Sequence, residues 1–336
     1  MNKGSVSVFA AGVLALGAGV AFLGGGVSAE QAGQVAGVEA SQPAEWGWTY
    51  FTTAEQLAAR LGEPNLLVLD ARSPEAYAQG HIPGAVNLPG EDLRTPSAKP
   101  GQGDSQYIFR KPDGSPDVAK YVQIFSEIGV SPETHVVVYG NHAGQTDGSI
   151  PAMILHWLGH EQVSFLDGVG VEAWKNAGFE LSAEPVSPSP AQFRAEPIEG
   201  FVWNLDDVLA NLQNPNVAFY DTRSLGEYTG QDKRNNAHGG HIPGAVRIDY
   251  AEQIQGQGKT LSEKDAIVQR LKAEGITPDR TIVLYCQTST RVSLPYLILK
   301  DLGYPDVVVY DASWHEYGNL PGTPKATGDD PVVAGR

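Results

Sequence analysis

The chain has 336 residues, 41% of them hydrophobic, which is ample for two ordinary domains with buried cores. Its 39 acidic residues outnumber 23 basic ones, and the formal net charge of −16 argues against nucleic acid or an anionic membrane surface as partner. A single cysteine, Cys286, excludes an intramolecular disulfide framework and a cysteine-based zinc site.

Residues 1–29 read as a secretory leader. Lys3 gives a short positive start, "VSVFAAGVLALGAGVAFL" is the apolar stretch, and Val27 and Ala29 are small residues suited to cleavage after Ala29. The expected location is therefore periplasmic or secreted, without stable membrane association once the leader is removed. The alternative is a membrane anchor formed by an uncleaved leader. An unpaired thiol in an oxidising compartment is usually avoided unless it is used.

From residue 46 the chain tells the same story twice. The helical segment "TAEQLAARLG", with Thr53 as N-cap, precedes the apolar strand of "LLVLDARSPEAYAQGHIPGAVNLP" (66–89). "GVSPETHVVVYG" (129–140), the helical "SIPAMILHWLGH" and the strand "VSFLDG" follow. A Pro/Ser-rich stretch, "SAEPVSPSPAQFRAEP", then reads as a linker. The second copy opens with "NLDDVLANLQ", with Asn204 as N-cap, and "VAFYDTRSLGEYTGQDKRNNAHGGHIPGAVRIDY" (217–250). It continues through "GITPDRTIVLYC" (275–286), "VSLPYLILKDLGY" and "VVVYDA". Short strands without in–out alternation, alternating with helices, predict an α/β fold: two domains, each a small, mainly parallel sheet with helices on both faces. The expected boundaries are 46–181, a linker at 182–200, and 201–325.

The paired D-x-R-S…G-H-I-P-G-A elements resemble the tandem rhodanese (sulfurtransferase) family over about residues 46–325, and "VVVYDASWHEYGN" (307–319) is similar to its D-G-S-W-x-E-W segment. The resemblance implies two rhodanese-like domains, of which the second is catalytic. Here the position matching Cys286 in the first domain is Gly140, so the first domain is expected to wall the site rather than carry sulfur. It also implies sulfur transfer through a Cys286 persulfide, with thiosulfate or another sulfane-sulfur donor and a thiol or cyanide acceptor. No cofactor or metal is expected, and the chain is expected to be a monomer. The loop "CQTSTR" is similar to the C-Q-x-x-x-R loops of thiosulfate-using sulfurtransferases and unlike the C-G-[SA]-G-V-T of mercaptopyruvate-preferring relatives. Two-domain relatives often show D-x-R-x-x-G-R-[FY], whereas this chain reads "DTRSLGEY", so Glu227 replaces an arginine.

The residues support a nucleophile on their own terms. Cys286 ends an apolar strand and is followed by five polar residues, Gln287, Thr288, Ser289, Thr290 and Arg291, before a helix. Such a loop points successive N–H groups inward, and the helix N-terminus and Arg291 add positive potential that stabilises a thiolate or a persulfide anion. Arg291 is expected to face the anionic end of thiosulfate, with Thr288, Ser289 and Thr290 adding hydroxyls. Arg223 joins the substrate-binding set, although its place at the strand end favours a structural ion pair, and Lys233, Arg234 and His238 of the insertion before His241 are further candidates for the missing charge. His81 and His241 occur in both copies and read as structural, and His142, His156, His160 and His315 show no metal-ligand spacing. A phosphatase needs Cys-x5-Arg, but the residue at that position is Val292. Alternatives left open are a 3-mercaptopyruvate sulfurtransferase and a sulfur carrier without turnover.

Overall fold

The computed structural model describes residues 48–96, 106–141, 148–168, 170–255 and 260–329. The leader read at 1–29, and His142, lie outside these residues. Domain one runs β1 (Phe51–Thr52), α1 (Ala54–Arg60), β2 (Leu66–Asp70), α2 (Pro74–Ala78), β3 (Val86–Asn87), β4 (Thr95–Pro96), β5 (Gln106–Tyr107), α3 (Val118–Glu127), β6 (His135–Tyr139), α4 (Ile150–Trp157), β7 (Val163–Leu166) and α5 (Val171–Asn176). Domain two repeats the order: β8 (Val202–Trp203), α6 (Leu205–Ala210), β9 (Val217–Asp221), α7 (Leu225–Thr229), β10 (Val246–Arg247), β11 (Ile254–Gln255), β12 (Thr260–Leu261), α8 (Lys264–Ala273), β13 (Thr281–Tyr285), α9 (Ser293–Asp301), β14 (Val307–Tyr310) and α10 (Ser313–Tyr317). The helix starts follow local chemistry. Thr53 and Asn204 each close a capping box, with Gln56 and Asp207 respectively.

Each domain holds one five-stranded sheet, β1-β7-β6-β2-β3 in the first and β8-β14-β13-β9-β10 in the second. Every neighbouring pair in both is parallel. Successive residues of the central strands enter different cores. Val136 and Val138 face one cluster and Val137 and Tyr139 another, just as Ile282 and Leu284 part from Val283 and Tyr285. Both faces of each sheet are therefore covered, which is why these strands read as continuous apolar runs. The duplicated histidines are structural: the His81 ring stacks on Tyr77 and the His241 ring on Tyr228, with centroids 3.8 and 3.6 Å apart. Their Nδ1 atoms lie 3.0 and 2.8 Å from the carbonyls of the same tyrosines.

The largest apolar cluster draws residues from both domains, including Leu69 and Val138 from one and Leu284 and Leu297 from the other. Helices α4 and α9 meet there, with Ser149 and Ser293 hydroxyls 2.6 Å apart and Tyr296 Oη 2.6 Å from His156 Nδ1. Burial, with Lys300 nearby, pushes His156 down to about 4, so its ring is neutral between the hydroxyls of Tyr50 and Tyr296 at physiological pH. Two aspartates lock the domains reciprocally. Asp311, just past β14, accepts hydrogen bonds from the N–H groups of Ile108 and Phe109 at 3.0 and 3.1 Å. Asp167, just past β7, accepts from Leu261 N–H at 3.0 Å. Each carboxylate thus grips the segment at the antiparallel pair of the other domain, β4–β5 or β11–β12.

Burial raises both carboxyls to about 6, despite the N–H donors that favour the charged form and Arg110 beside Asp311. The folded protein therefore holds protons that the unfolded chain releases near pH 4. The contribution of these groups to stability is complete below about pH 4 and is lost as pH rises through about 6, by roughly 3 kcal/mol for a two-unit shift in each. Urea denaturation between pH 4 and 7 is expected to show Asp311→Asn with a shallower fall over this window than the wild type. An unchanged slope would contradict the assignment.

Candidate active site

Strand β13 lies between β9 and β14, and its last residue, Tyr285, is in register with Asp221. Cys286 follows at once and is fully buried at the floor of the loop 286–291. Its N–H donates to Ser313 Oγ at 3.2 Å, and its carbonyl accepts from Trp314 N–H at 3.0 Å. The Gln287 carbonyl accepts from His315 N–H at 3.0 Å, so α10 grips the start of the loop. Ser289 and Ser313 both sit in the left-handed region, at φ 59° and 53°. Such conformations cost about 1–3 kcal/mol each unless the surroundings fix them. Here Ser289 Oγ donates to the Asp311 carbonyl at 2.7 Å and lies 3.0 Å from Ser313 Oγ, while Ser313 Oγ donates to the Tyr310 carbonyl at 2.9 Å. The far end is closed by Ser293 Oγ, which donates to the Thr290 carbonyl at 2.8 Å. Among the described residues, no acceptor takes the backbone N–H groups of residues 287–291. They and the N-terminus of α9 are thus donors left available to an anion.

The arginines divide sharply. Arg223, 1% exposed, donates to both carboxylate oxygens of Asp221 and to the Gly240 carbonyl, and stacks 4.6 Å over the Trp314 ring. It is sealed off as a strand-end ion pair and is withdrawn from the substrate-binding set. Arg291 was expected to offer a free fork to the substrate. Instead its Nη1 and Nη2 donate to the two carboxylate oxygens of Glu227 at 2.7 and 2.8 Å. Burial pushes the Glu227 carboxyl up, but Arg291, Ser224 and Arg223 outweigh it and hold it at about 2. Burial likewise opposes the charge on Arg291, and Glu227 together with Cys286 keeps it above the ordinary arginine range. Glu227 thus neutralises the loop's own arginine.

Of the hydroxyls, Ser289 is buried and anchors the loop, whereas Thr288 and Thr290 are part-exposed. Gln287 exchanges two hydrogen bonds with Asn236 of the insertion, at 3.0 and 3.1 Å. Asn236 is buried, while Lys233, Arg234 and His238 are exposed. The insertion acts here as a clamp on the loop, a role that no motif in its sequence announced. A second unforeseen residue is Arg94 of domain one, whose Nη2 donates to Thr288 Oγ1 at 3.3 Å. In domain one Gly140 occupies the position of Cys286, and a Cβ there would lie 2.7 Å from the Gly148 Cα, so a thiol has no room without backbone movement.

Paired parallel-sheet domains with one buried thiol at the end of a central strand, held in a loop of unpaired N–H groups, define a protein built for chemistry on sulfur. The rhodanese-like domain matches residues 53–177 and 204–320, and the chain belongs to that family of sulfurtransferases. It is 36% identical over 268 residues to the thiosulfate sulfurtransferase of Azotobacter vinelandii, covering 80% of this chain and 93% of that protein. It is 31% identical over 290 residues to a sulfur carrier protein of Thermus thermophilus, covering 80% and 94%. Among solved structures it is similar to the anaerobic ergothioneine biosynthesis enzyme of Chlorobium limicola in complex with trimethyl histidine. That match has a TM-score of 0.70 and 26% identity, over 83% of this chain and 70% of that one.

The Glu227–Arg291 pair, 2% and 15% exposed, is testable by a double-mutant cycle. Glu227→Ala strands a buried guanidinium and is expected to cost about 3 kcal/mol in chemical denaturation, with a coupling energy to Arg291→Ala of about 2 kcal/mol. Additive single effects would show that the pair does not hold the loop.

Proposed function

We propose that this sulfurtransferase takes the outer sulfur of thiosulfate onto Cys286 and passes it to a thiol or cyanide. The observation that carries the reading is the buried Cys286 beside the unpaired N–H groups of residues 287–291. In the first step the Cys286 thiolate attacks the outer sulfur of thiosulfate. A new S–S bond forms to Sγ, the bond to the sulfonate sulfur breaks, and sulfite leaves with its electron pair. The product is Cys–S–S⁻, whose terminal charge is held by the cradle of these N–H groups. In the second step a thiolate or cyanide attacks that terminal sulfur, and the Cys286 thiolate is released. Neither step consumes a proton, so no general base is required of His241, whose ring is stacked on Tyr228.

The loop sequence "CQTSTR" and the likeness to the Azotobacter enzyme support thiosulfate as donor. Gln287, Thr288, Thr290 and Arg291 shape the cradle, and all four are part-exposed. The test is mass spectrometry without reductant after exposure to thiosulfate. One sulfur should appear on Cys286 and leave on addition of cyanide, and Cys286→Ser should abolish both the adduct and turnover while retaining the fold. Turnover surviving in Cys286→Ser would refute the mechanism. Stoichiometric loading with no turnover on any small acceptor would instead favour a carrier.

A further inference from the structure

We propose that Arg94, supplied by domain one, binds the anionic end of the sulfur donor over the Cys286 loop. The inference rests on the reading of Cys286 as acceptor of sulfur from an anionic donor. A dianion approaching a chain of formal charge −16 needs a local cation, and the loop's own arginine does not offer a free one. Arg291 forks onto Glu227, and Arg223 onto Asp221. Arg110 donates to the Trp203 carbonyl and lies 3.9 Å from Asp311. Arg94 differs. Its Nε is buried with no hydrogen-bond partner among the described residues, and no described carboxylate pairs with it.

Its placement is specific. Arg94 follows the short helical turn Gly90–Leu93 and reaches Thr288 Oγ1 across 194 residues of sequence. Lys120 Nζ donates to the Leu93 carbonyl and the Thr95 hydroxyl, at 3.1 and 3.2 Å, so the segment is held on both sides of Arg94. Thr288 accepts from Arg94 and keeps its own hydroxyl proton. The pair can therefore present that O–H and the remaining guanidinium N–H groups to one oxyanion, the charge-assisted, multi-point contact that suits a sulfonate or a carboxylate. Domain one, which has no thiol at the matching position, thereby contributes a substrate contact to the site in domain two.

The test separates the two half-reactions in single turnovers: loading by thiosulfate, read as sulfite release, and discharge of fully loaded protein by dithiothreitol. In Arg94→Ala, loading at low thiosulfate is expected to fall about 10- to 100-fold through a raised KM, as for loss of a charge-assisted contact. Discharge to dithiothreitol, which carries no sulfonate or carboxylate for Arg94 to hold, should be unchanged. Arg94→Lys should recover part of the loss, because a point charge lacks the fork. Loading unchanged in Arg94→Ala, or loading and discharge falling together, would overturn the proposal. Should the alanine variant not fold, Arg94→Gln and Arg94→Lys read the same split. If wild-type protein loads from 3-mercaptopyruvate and not from thiosulfate, only the identity of the donor is wrong, and the Arg94 split is read with that anion. Loading from neither would refute both readings.

Discussion

The Glu227–Arg291 ion pair is the contact on which the site's arrangement turns. It ties the first turn of α7, fixed by the D-x-R-S segment, to the last residue of the cysteine loop. Both partners are withdrawn from water, so breaking the pair would leave a stranded charge and a loosened loop. The pair also removes one full positive charge from the immediate surroundings of Cys286. What remains to attract an anion is directional rather than bulk charge: unpaired N–H groups, a helix N-terminus and a guanidinium arriving from the other domain.

The duplication explains how that guanidinium comes to be there. One copy keeps the thiol; the other has Gly140 against Gly148, with no space for a side chain. The two copies nevertheless share one apolar core, and each lends a strand-end aspartate to the segment at the other's antiparallel pair. The interface therefore resembles the interior of one domain more than a docking surface between two. Asp311 belongs to this interface and to the site at once. Its carboxylate holds Ile108 and Phe109 of domain one, and its carbonyl receives Ser289 of the cysteine loop.

Much of this was legible in the sequence because repetition and periodicity are local signals. The two D-x-R-S…G-H-I-P-G-A copies announced two similar units, the apolar runs without alternation announced sheets covered on both faces, and the strand-end cysteine announced the loop. The roles of Thr53, Asn204, His81 and His241 also follow from neighbours within a few residues. What was not legible are contacts between segments distant in sequence. Glu227 could be seen as a departure from many relatives, but not as the partner of Arg291, 64 residues on. Neither Asn236, in the insertion before His241, nor Arg94 belongs to any motif. Arg223 holds the strand-end ion pair that its place in the D-x-R-S segment suggested, while Ser289, grouped with the substrate hydroxyls, is buried in bonds that hold the loop. A charged or hydroxyl side chain near a nucleophile carries no mark of which way its hydrogen bonds run.

The central claim is that the N–H cradle holds the transferred sulfur while Arg291 stays with Glu227. A crystal structure of the protein after exposure to thiosulfate tests it most directly. The account predicts one extra sulfur bonded to Cys286 Sγ, facing the N–H groups of residues 287–291, with the Glu227–Arg291 fork intact. An unmodified Cys286, or an Arg291 swung away from Glu227 onto the bound sulfur or anion, would contradict it.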